Sequence, residues 1–229
     1  MKKIKKYIVL SFALMLLLLF TAGCGKKSEP ALYQQYVKSL IAMNYLGATS
    51  DYIAATGATA TDANSIYEGN ISYLTNNILS YYNLQIDNAP EVRDLYEELA
   101  KKVYSKINYT VSPAYKYGSV YLVDVTISPI DLFNQAAPRV KSYIESFNND
   151  VAAGKYNDYE LSAYESEFAT GLSAILSEEC DSMTYAEPIT LTVEIVEEDD
   201  TFYLRDRDFL NIDAAMINTT ITSLPKEEE

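Results

Sequence analysis

The chain has 229 residues, with 18 Lys and Arg against 32 Asp and Glu, no His, no Trp, two Cys and a formal net charge of −14. Without His it lacks the general base of Ser-His-Asp and Cys-His sites and the imidazole ligand of most zinc sites. Its acidity argues against nucleic acid, whose phosphates would repel it. Composition therefore predicts no nucleic-acid partner, no metal and no cofactor. Any catalysis would rest on carboxylates, Lys, Tyr or Ser.

The first 23 residues have the pattern of an export signal that ends in a lipidation site. Four Lys residues precede an apolar run from Ile8 to Phe20, which has the length of a signal-peptide core and is too short to span a bilayer. The following Thr21-Ala22-Gly23-Cys24 resembles the lipobox of bacterial lipoproteins, although Thr21 departs from the preferred Leu. This resemblance implies a diacylglyceryl group on the Cys24 sulfur and cleavage before it. The alternative is an ordinary secretory signal.

Removal of this signal makes the protein more acidic. Cleavage before Cys24 removes four of the 18 basic residues, which leaves 14 against 32 acidic ones and a net charge of −18. Anionic lipid would repel such a chain, whereas acyl chains attached covalently to Cys24 contribute ~0.8 kcal/mol per CH₂ buried in the bilayer and so hold the protein there. We expect a protein on the extracytoplasmic face of the cell membrane, attached through Cys24 by a tether over residues 24–30. An α+β domain is expected at 31–217 and an acidic tail at 218–229.

The first predicted half, residues 31–133, contains helices followed by a hairpin. Apolar residues recur at helical spacing, and then at every second residue. The predicted helices are Leu32 to Leu46, a short turn of helix between Ser50 and Gly57, Asp62 to Ile86, and one that begins at Pro90 behind an Asn88 N-cap and buries Val92, Leu95, Leu99 and Val103. Strands are predicted at 107–111 and 121–127, around a turn near Lys116 to Ser119.

The second predicted half, residues 134–217, repeats this order. We predict helices near Pro138 to Val151 and from about Asp158 to Ser182, the latter with an Asn157…Glu160 capping box. Strands at 189–195 and 202–204 follow around a turn at Glu198 to Asp200, and Phe209 to Ile217 forms a closing helix. Two helix-helix-hairpin halves predict an α+β fold with an antiparallel sheet of about four strands and helices packed on it. By analogy it is of the cystatin or NTF2-like kind.

Several fragments between Tyr45 and Ile130 carry a family resemblance. They are Tyr45-Leu46-Gly47, Asp51-Tyr52, Thr56 to Ala63, Ile66-Tyr67-Glu68, Val103 to Tyr109 and Val120 to Ile130. These fragments are similar to uncharacterised lipoproteins of clostridia and related Gram-positive bacteria, a family defined as a domain of unknown function. The resemblance covers somewhat over a third of the chain and includes no chemical motif. It implies a location and a fold type, and no activity.

Tyrosine is unusually frequent, with 21 residues. A Tyr side chain offers both a stacking face and a hydroxyl group, which favours it in recognition sites. Tyr81 and its neighbour Tyr82 cannot both point inward from a helix, and Tyr115 and Tyr117 flank the predicted turn. We therefore predict Tyr81, Tyr115 and Tyr117 as ligand-binding residues for a cell-wall glycan, a peptide or a protein. The alternative is that Tyr serves as a core residue, since several lie on predicted buried faces: Tyr67, Tyr82, Tyr121, Tyr143 and Tyr164.

Two carboxylate clusters are the other candidates for chemistry. Paired acids held ~5 to ~9.5 Å apart hydrolyse glycosides, and oxygen clusters hold Ca²⁺. Glu197 to Asp200 and Asp206-Arg207-Asp208 lack the spacing of a calcium loop. The first cluster is more simply a solvated turn, and the second more simply caps the last helix with Arg205 and Arg207 as local partners.

The remaining cysteine adds no evidence for a catalytic function. Once Cys24 carries lipid, Cys180 has no disulfide partner, and at the end of a helix we expect a partly buried thiol without a catalytic role. We expect no catalytic residue. The sequence favours a non-enzymatic, lipid-anchored binding or interaction module of unknown ligand. The alternative is a carboxylate-dependent hydrolase that acts on cell-wall material.

Overall fold

The computed structural model describes residues 29–86, 89–198 and 201–218. Within these ranges the chain forms seven helices and five strands, which confirms the predicted α+β class. The helices are α1 (Glu29–Leu46), α2 (Thr49–Thr56), α3 (Ala60–Tyr81), α4 (Pro90–Tyr104), α5 (Leu132–Ala152), α6 (Leu161–Asp181) and α7 (Asp206–Met216). The strands are β1 (Asn108–Val111), β2 (Tyr115–Tyr117), β3 (Val120–Ser128), β4 (Ile189–Glu198) and β5 (Thr201–Leu204).

The described residues divide into two compact units that are interleaved along the chain. We call the first the sheet unit; it comprises the described residues up to Ser65, together with Tyr109–Thr126 and Thr190–Ala214. The second, the helical unit, comprises Ile66–Asn108, Ile127–Ile189 and the described residues from Ala215 onward. Each unit therefore draws on segments from both predicted halves of the chain.

The sheet has the strand order β1-β3-β4-β5, and β2 also pairs with β3. Side chains that alternate along β3, β4 and β5 turn one face of the sheet into a core surface, as predicted for β3 and β4. Its fully or nearly buried members in the sheet unit are Val123, Val125, Val193, Ile195, Phe202 and Leu204. Helix α1 packs on this face, because Tyr33 contacts both Tyr121 and Phe202 with ring centroids 4.9 and 5.1 Å apart.

The segment from Lys116 to Ser119, predicted as a turn, is half strand. Tyr115, Lys116 and Tyr117 pair with Leu122, Tyr121 and Val120 in an antiparallel register, so the turn shrinks to Gly118 and Ser119. Gly118 adopts φ +61°, a left-handed backbone that glycine reaches without steric cost. The strict alternation of Tyr115 and Tyr117 around Lys116 was the signal for this strand.

Helix α3 ends at Tyr81, five residues before the predicted end at Ile86. Asn83 takes φ 52°, and the amide of Leu84 donates to the Leu79 carbonyl at 2.9 Å while the amide of Asn83 donates to the Ser80 carbonyl at 3.2 Å. These two bonds form the Schellman pattern, which closes a helix on a left-handed residue. Asn is one of the few residues other than Gly that adopts this conformation readily, so Asn83 is the stop signal.

The prediction that Leu95 of helix α4 is buried is wrong, and its neighbour Tyr96 is buried instead. Leu95 is 43% exposed, whereas Tyr96 is completely buried and its hydroxyl donates to the Ala169 carbonyl at 2.7 Å. Tyr96 lies four residues after Val92 and three before Leu99, so it fits the apolar stripe equally well. Pro90 opens the helix as predicted, while the proposed Asn88 N-cap lies outside the described residues.

Helix α5 begins at Leu132, six residues before the predicted start at Pro138. Leu132, Phe133 and Ala136 are buried, and their burial outweighs the backbone hydrogen bond that a proline inside a helix removes. Asp131 precedes the helix and accepts a hydrogen bond from the Asn134 side chain at 2.6 Å.

Two further end predictions are corrected by the structure. Helix α6 starts at Leu161 with Glu160 in the capping position and no side-chain cap bond, so the Asn157…Glu160 capping box is not formed. Helix α7 starts at Asp206 and not at Phe209, and Arg205 pairs with Glu194 of β4 at 2.7 Å and not with Asp206 or Asp208. Asn218, at the start of the predicted tail, donates to the Ile130 carbonyl at 2.8 Å.

Candidate functional site

The predicted ligand residues Tyr115 and Tyr117 lie on β2 of the sheet unit. They are 41% and 73% exposed, so both rings are accessible to a partner. The Tyr115 hydroxyl donates to Asp124 Oδ1 at 3.3 Å, and the Thr192 hydroxyl donates to the same oxygen at 2.7 Å. Beside them the Thr126 and Thr190 hydroxyls share a hydrogen bond of 2.9 Å. Polar side chains on this exposed face of the sheet are thus largely paired with each other.

The third predicted ligand residue, Tyr81, lies in the helical unit at the end of α3. Its ring meets Tyr82 edge to face at 4.7 Å and lies 6.3 Å from the Phe133 ring. Partial burial raises the pKa of Tyr81 above its ordinary value. The structure therefore gives Tyr81 an aromatic neighbourhood separate from that of Tyr115 and Tyr117, which are in the other unit.

Helices α5 and α6 enclose the densest group of aromatic rings among the described residues of the helical unit. Phe147 lies at its centre, with centroid distances of 4.9 Å to Tyr156, 5.0 Å to Phe168 and 5.3 Å to Tyr164. The Tyr143 ring stacks on Phe168 at 5.4 Å with an interplanar angle of 20°. Tyr143 and Tyr164, predicted as core residues, are half-buried members of this group.

A hydrogen bond and a glycine hold α5 and α6 close together beside these rings. The Tyr143 hydroxyl donates to the Phe168 carbonyl at 2.9 Å, and burial raises the pKa of Tyr143 to about 12. Gly171 faces the same ring, and a Cβ atom at this position would collide with the Tyr143 hydroxyl. The phenol therefore remains a protonated donor at neutral pH, and glycine is required for this approach.

A cleft of about 240 Å³ opens above these rings, and we call it the aromatic cleft. Phe147, Tyr164 and Phe168 form its aromatic wall, with Ile144 beside them. The opposite rim comes from the segment after α3, where the left-handed Asn83 turns the chain so that Leu84 and Gln85 face the cleft. The full lining is Asn83, Leu84, Gln85, Ile144, Phe147, Asn148, Tyr164, Glu165 and Phe168.

The polar side chains of the aromatic cleft are not engaged elsewhere. Asn83, Gln85, Asn148 and Glu165 have no side-chain hydrogen bond or ion pair to another residue in the part of the chain that the structure describes. Three amide groups and one carboxylate are therefore directed at solvent or at a ligand. Concave, mostly apolar sites with a few convergent polar groups are the usual form of small-ligand sites.

Sequence reasoning did not single out this cleft. Tyr164 was predicted as a core residue, and Asn83, Gln85, Asn148 and Glu165 carried no motif. The rim depends on the stop at Asn83, which the prediction placed inside a helix. The available signal was Asn83, a residue type that adopts the left-handed conformation readily, together with an aromatic-rich pair of helices.

The carboxylate clusters and the second cysteine occupy structural positions. Asp208 Oδ2 accepts a hydrogen bond from the Glu194 amide at 3.0 Å, and Glu198 Oε2 accepts one from the Tyr203 hydroxyl at 3.3 Å. Asp199 and Asp200 lie outside the described residues. Cys180 is fully buried near the end of α6, where burial raises the pKa of its thiol. Within the described ranges, no group of three or more acidic or thiol ligands is placed to hold a metal.

The predicted lipidation site and signal are in the N-terminal segment. Cys24, the signal before it and most of the tether lie outside the described residues. Every helix in the ranges that the structure covers is too short or too polar to cross a membrane.

Comparison with known proteins adds a fold relationship. No family model and no curated protein matches the sequence. A solved structure from Bacillus subtilis, of a protein named a putative lipoprotein (ycdA), superposes on 82% of this chain with a TM-score of 0.54 and 18% sequence identity. The likeness is one of fold. The chain spans 57% of that protein's length, so the larger protein has parts without a counterpart here.

Proposed function

We propose that this protein is a lipid-anchored binding module on the extracytoplasmic face of the cell membrane, and that the aromatic cleft is its ligand site. The observation that carries the proposal is the combination of an aromatic wall with four uncommitted polar side chains in one concavity. A ligand that binds these polar groups displaces water from them and breaks no hydrogen bond within the protein.

The proposed location is supported by three observations. The segment before Cys24 has the charge, length and small residues of a lipoprotein signal. Fragments between Tyr45 and Ile130 resemble uncharacterised lipoproteins of Gram-positive bacteria, although no family model matches the chain. The Bacillus subtilis protein with a similar fold is itself named a putative lipoprotein. A site on the outer face of the membrane would meet cell-wall glycan, peptides or other envelope proteins.

The lining of the aromatic cleft favours a binding role without catalysis. Hydrolysis of a glycoside by carboxylates requires two acids on opposite sides of the scissile bond, and Glu165 is the one acid among the nine lining residues. A single carboxylate suits a binding role, because it accepts hydrogen bonds from the ligand. The predicted residues Tyr115 and Tyr117 remain a second candidate surface, since both are exposed on the sheet unit.

Cosedimentation tests this proposal. The full mature chain is mixed with purified Gram-positive cell-wall sacculi, and Tyr164→Ala is compared with Tyr117→Ser. We expect the wild type and Tyr117→Ser to sediment equally and Tyr164→Ala to lose at least tenfold in affinity, because it removes part of the aromatic wall. Equal binding by all three chains, or no binding by any, would contradict the proposal. Membrane retention of a Cys24→Ala chain would contradict the anchor.

A further inference from the structure

The lining of the aromatic cleft restricts the chemical class of its ligand. Tyr164 and Phe168 are half-buried, so parts of both rings remain accessible beside the nearly buried Phe147. An aromatic face carries partial negative charge and attracts weakly positive C–H groups. The wall therefore favours a ligand with an apolar, C–H-bearing face of about the width of one ring.

The polar rim favours groups that donate and accept hydrogen bonds at once. Each amide of Asn83, Gln85 and Asn148 offers two N–H donors and a carbonyl acceptor, and Glu165 offers acceptors only. A hydroxyl group is both donor and acceptor, so several hydroxyls on one ring can satisfy amides and a carboxylate together. A hydrogen bond from a hydroxyl to the Glu165 carboxylate is charge-assisted and therefore among the stronger ones.

The charge of the lining argues against ions. None of the nine lining residues is basic, so an anionic ligand would approach Glu165 without a compensating cation. An ammonium ion would be attracted to Glu165 and to the aromatic faces. It has no acceptor, however, so it would bind none of the N–H groups of the three amides, whereas a hydroxyl group would.

We propose that the aromatic cleft binds one neutral, hydroxyl-rich ring, namely a hexose or an N-acetylated hexosamine unit. The inference rests on the proposed function, since it names the ligand class of the same site. The cleft volume of about 240 Å³ lies just below the range of roughly 300–1,000 Å³ that is usual for the sites of drug-sized ligands, which favours a small occupant. This is room for a single sugar ring, and a longer glycan extends out through the opening.

Ligand-observed NMR and titration calorimetry test the ligand class on the full mature chain. The probes are glucose, N-acetylglucosamine, tetramethylammonium and inorganic phosphate. We expect the two sugars to bind and the two ions to bind at least tenfold more weakly. Tighter binding of tetramethylammonium or phosphate than of either sugar would overturn the proposal, and so would the absence of sugar binding.

Two variants place the binding in the cleft, each with a matched control. We expect Tyr164→Ala to weaken sugar binding at least tenfold and Glu165→Gln about fivefold, because the second loses only the charge. Tyr73→Ala and Glu187→Gln change an exposed Tyr and an exposed Glu of the same unit that do not line the cleft, and they should stay within twofold. Unchanged binding in Glu165→Gln together with Tyr164→Ala would contradict the site.

Failure of the proposed ligand class can be distinguished from failure of the proposed binding function. If sacculi bind in a Tyr164-dependent manner and neither sugar competes, the binding role stands and the ligand class is wrong. If sacculi do not bind and the sugars do not bind, both proposals fail. Circular dichroism of each variant shows whether it is folded, and Glu165→Gln keeps the test valid should Tyr164→Ala unfold.

Discussion

The exposed face of the sheet unit and the aromatic cleft of the helical unit use similar residue types in opposite ways. On the sheet, Asp124 accepts hydrogen bonds from Thr192 and Tyr115, and Thr126 pairs with Thr190. In the cleft, the carboxylate of Glu165 has no partner among the described residues. A Tyr or an acid on a surface is therefore a poor guide to a site. A better guide is whether the polar atoms of that residue already make hydrogen bonds within the protein.

The largest effect that we expect concerns the close approach of α5 and α6. In Gly171→Ala the added Cβ collides with Tyr143, whose hydroxyl is tied to the Phe168 carbonyl. Overpacking of this kind costs about 1–3 kcal/mol, partly offset by the better helix propensity of Ala. Urea unfolding should therefore show a loss of about 1–2 kcal/mol, and the displaced ring should also disturb the cleft.

Gly69 is the matched control for this change. It lies in α3 with nothing within 4 Å of the position that a Cβ would take. Gly69→Ala should raise the unfolding free energy by up to about 1 kcal/mol through helix propensity alone. A similar response at both glycines would show that the contact between Gly171 and Tyr143 does not constrain the packing of α5 on α6.

The second prediction compares the two carboxylates directly. Asp124→Ala removes the acceptor of two hydrogen bonds on the sheet and should cost about 1 kcal/mol of unfolding free energy. Glu165→Ala removes no internal bond and should stay within about 0.5 kcal/mol of the wild type. Chemical denaturation measures both. An equal cost at the two positions would remove the distinction between an engaged and an uncommitted surface.

The smallest effect concerns pH and lies in the sheet unit. Asp213 accepts a hydrogen bond from Tyr45 at 2.9 Å, and burial raises the pKa of the Asp213 carboxyl despite that bond. The folded protein then holds this proton more tightly than the unfolded chain, whose Asp has a pKa of about 3.9. The contribution of Asp213 to stability therefore falls as pH rises from about 3.9 through the raised pKa.

Replacement of Asp213 by Asn should remove this dependence. At pH values above the raised pKa of Asp213, Asp213→Asn should be more stable than the wild type. The difference in stability should shrink as pH falls to about 4 and below. Thermal unfolding between pH 3 and pH 7 measures it, with Asp158→Asn at an exposed position as the control. A wild-type advantage that grows with pH would contradict the assignment.

The element order was predictable because hydrophobic spacing depends on neighbours in sequence. Spacing alone did not choose between Leu95 and Tyr96, since both fit the stripe of α4, and the choice depends on the Ala169 carbonyl that only Tyr96 can reach. The start of α5 also depends on tertiary burial, which overrides the signal of Pro138.

The candidate site was less predictable for the same reason. Its lining comes from three separate segments, and no local pattern places Asn83, Asn148 and Glu165 around one space. Sequence reasoning selected Tyr81, Tyr115 and Tyr117 by residue type, and the structure places them in two different units. Their role as ligand residues stays a prediction, which the comparison of Tyr117→Ser with Tyr164→Ala addresses.

The interleaving of the two units has a consequence for how the chain reaches its native state. Within the sheet unit, the hydrogen bond between Tyr45 and Asp213 joins residues 168 positions apart. Contacts of such high sequence separation form slowly, because a long loop must close before they stabilise anything. If the chain crosses the membrane from its N-terminal end, α1 reaches the outer side before α7 and cannot complete its packing until α7 follows. We therefore expect a slow refolding phase in which the contact between α1 and α7 forms late.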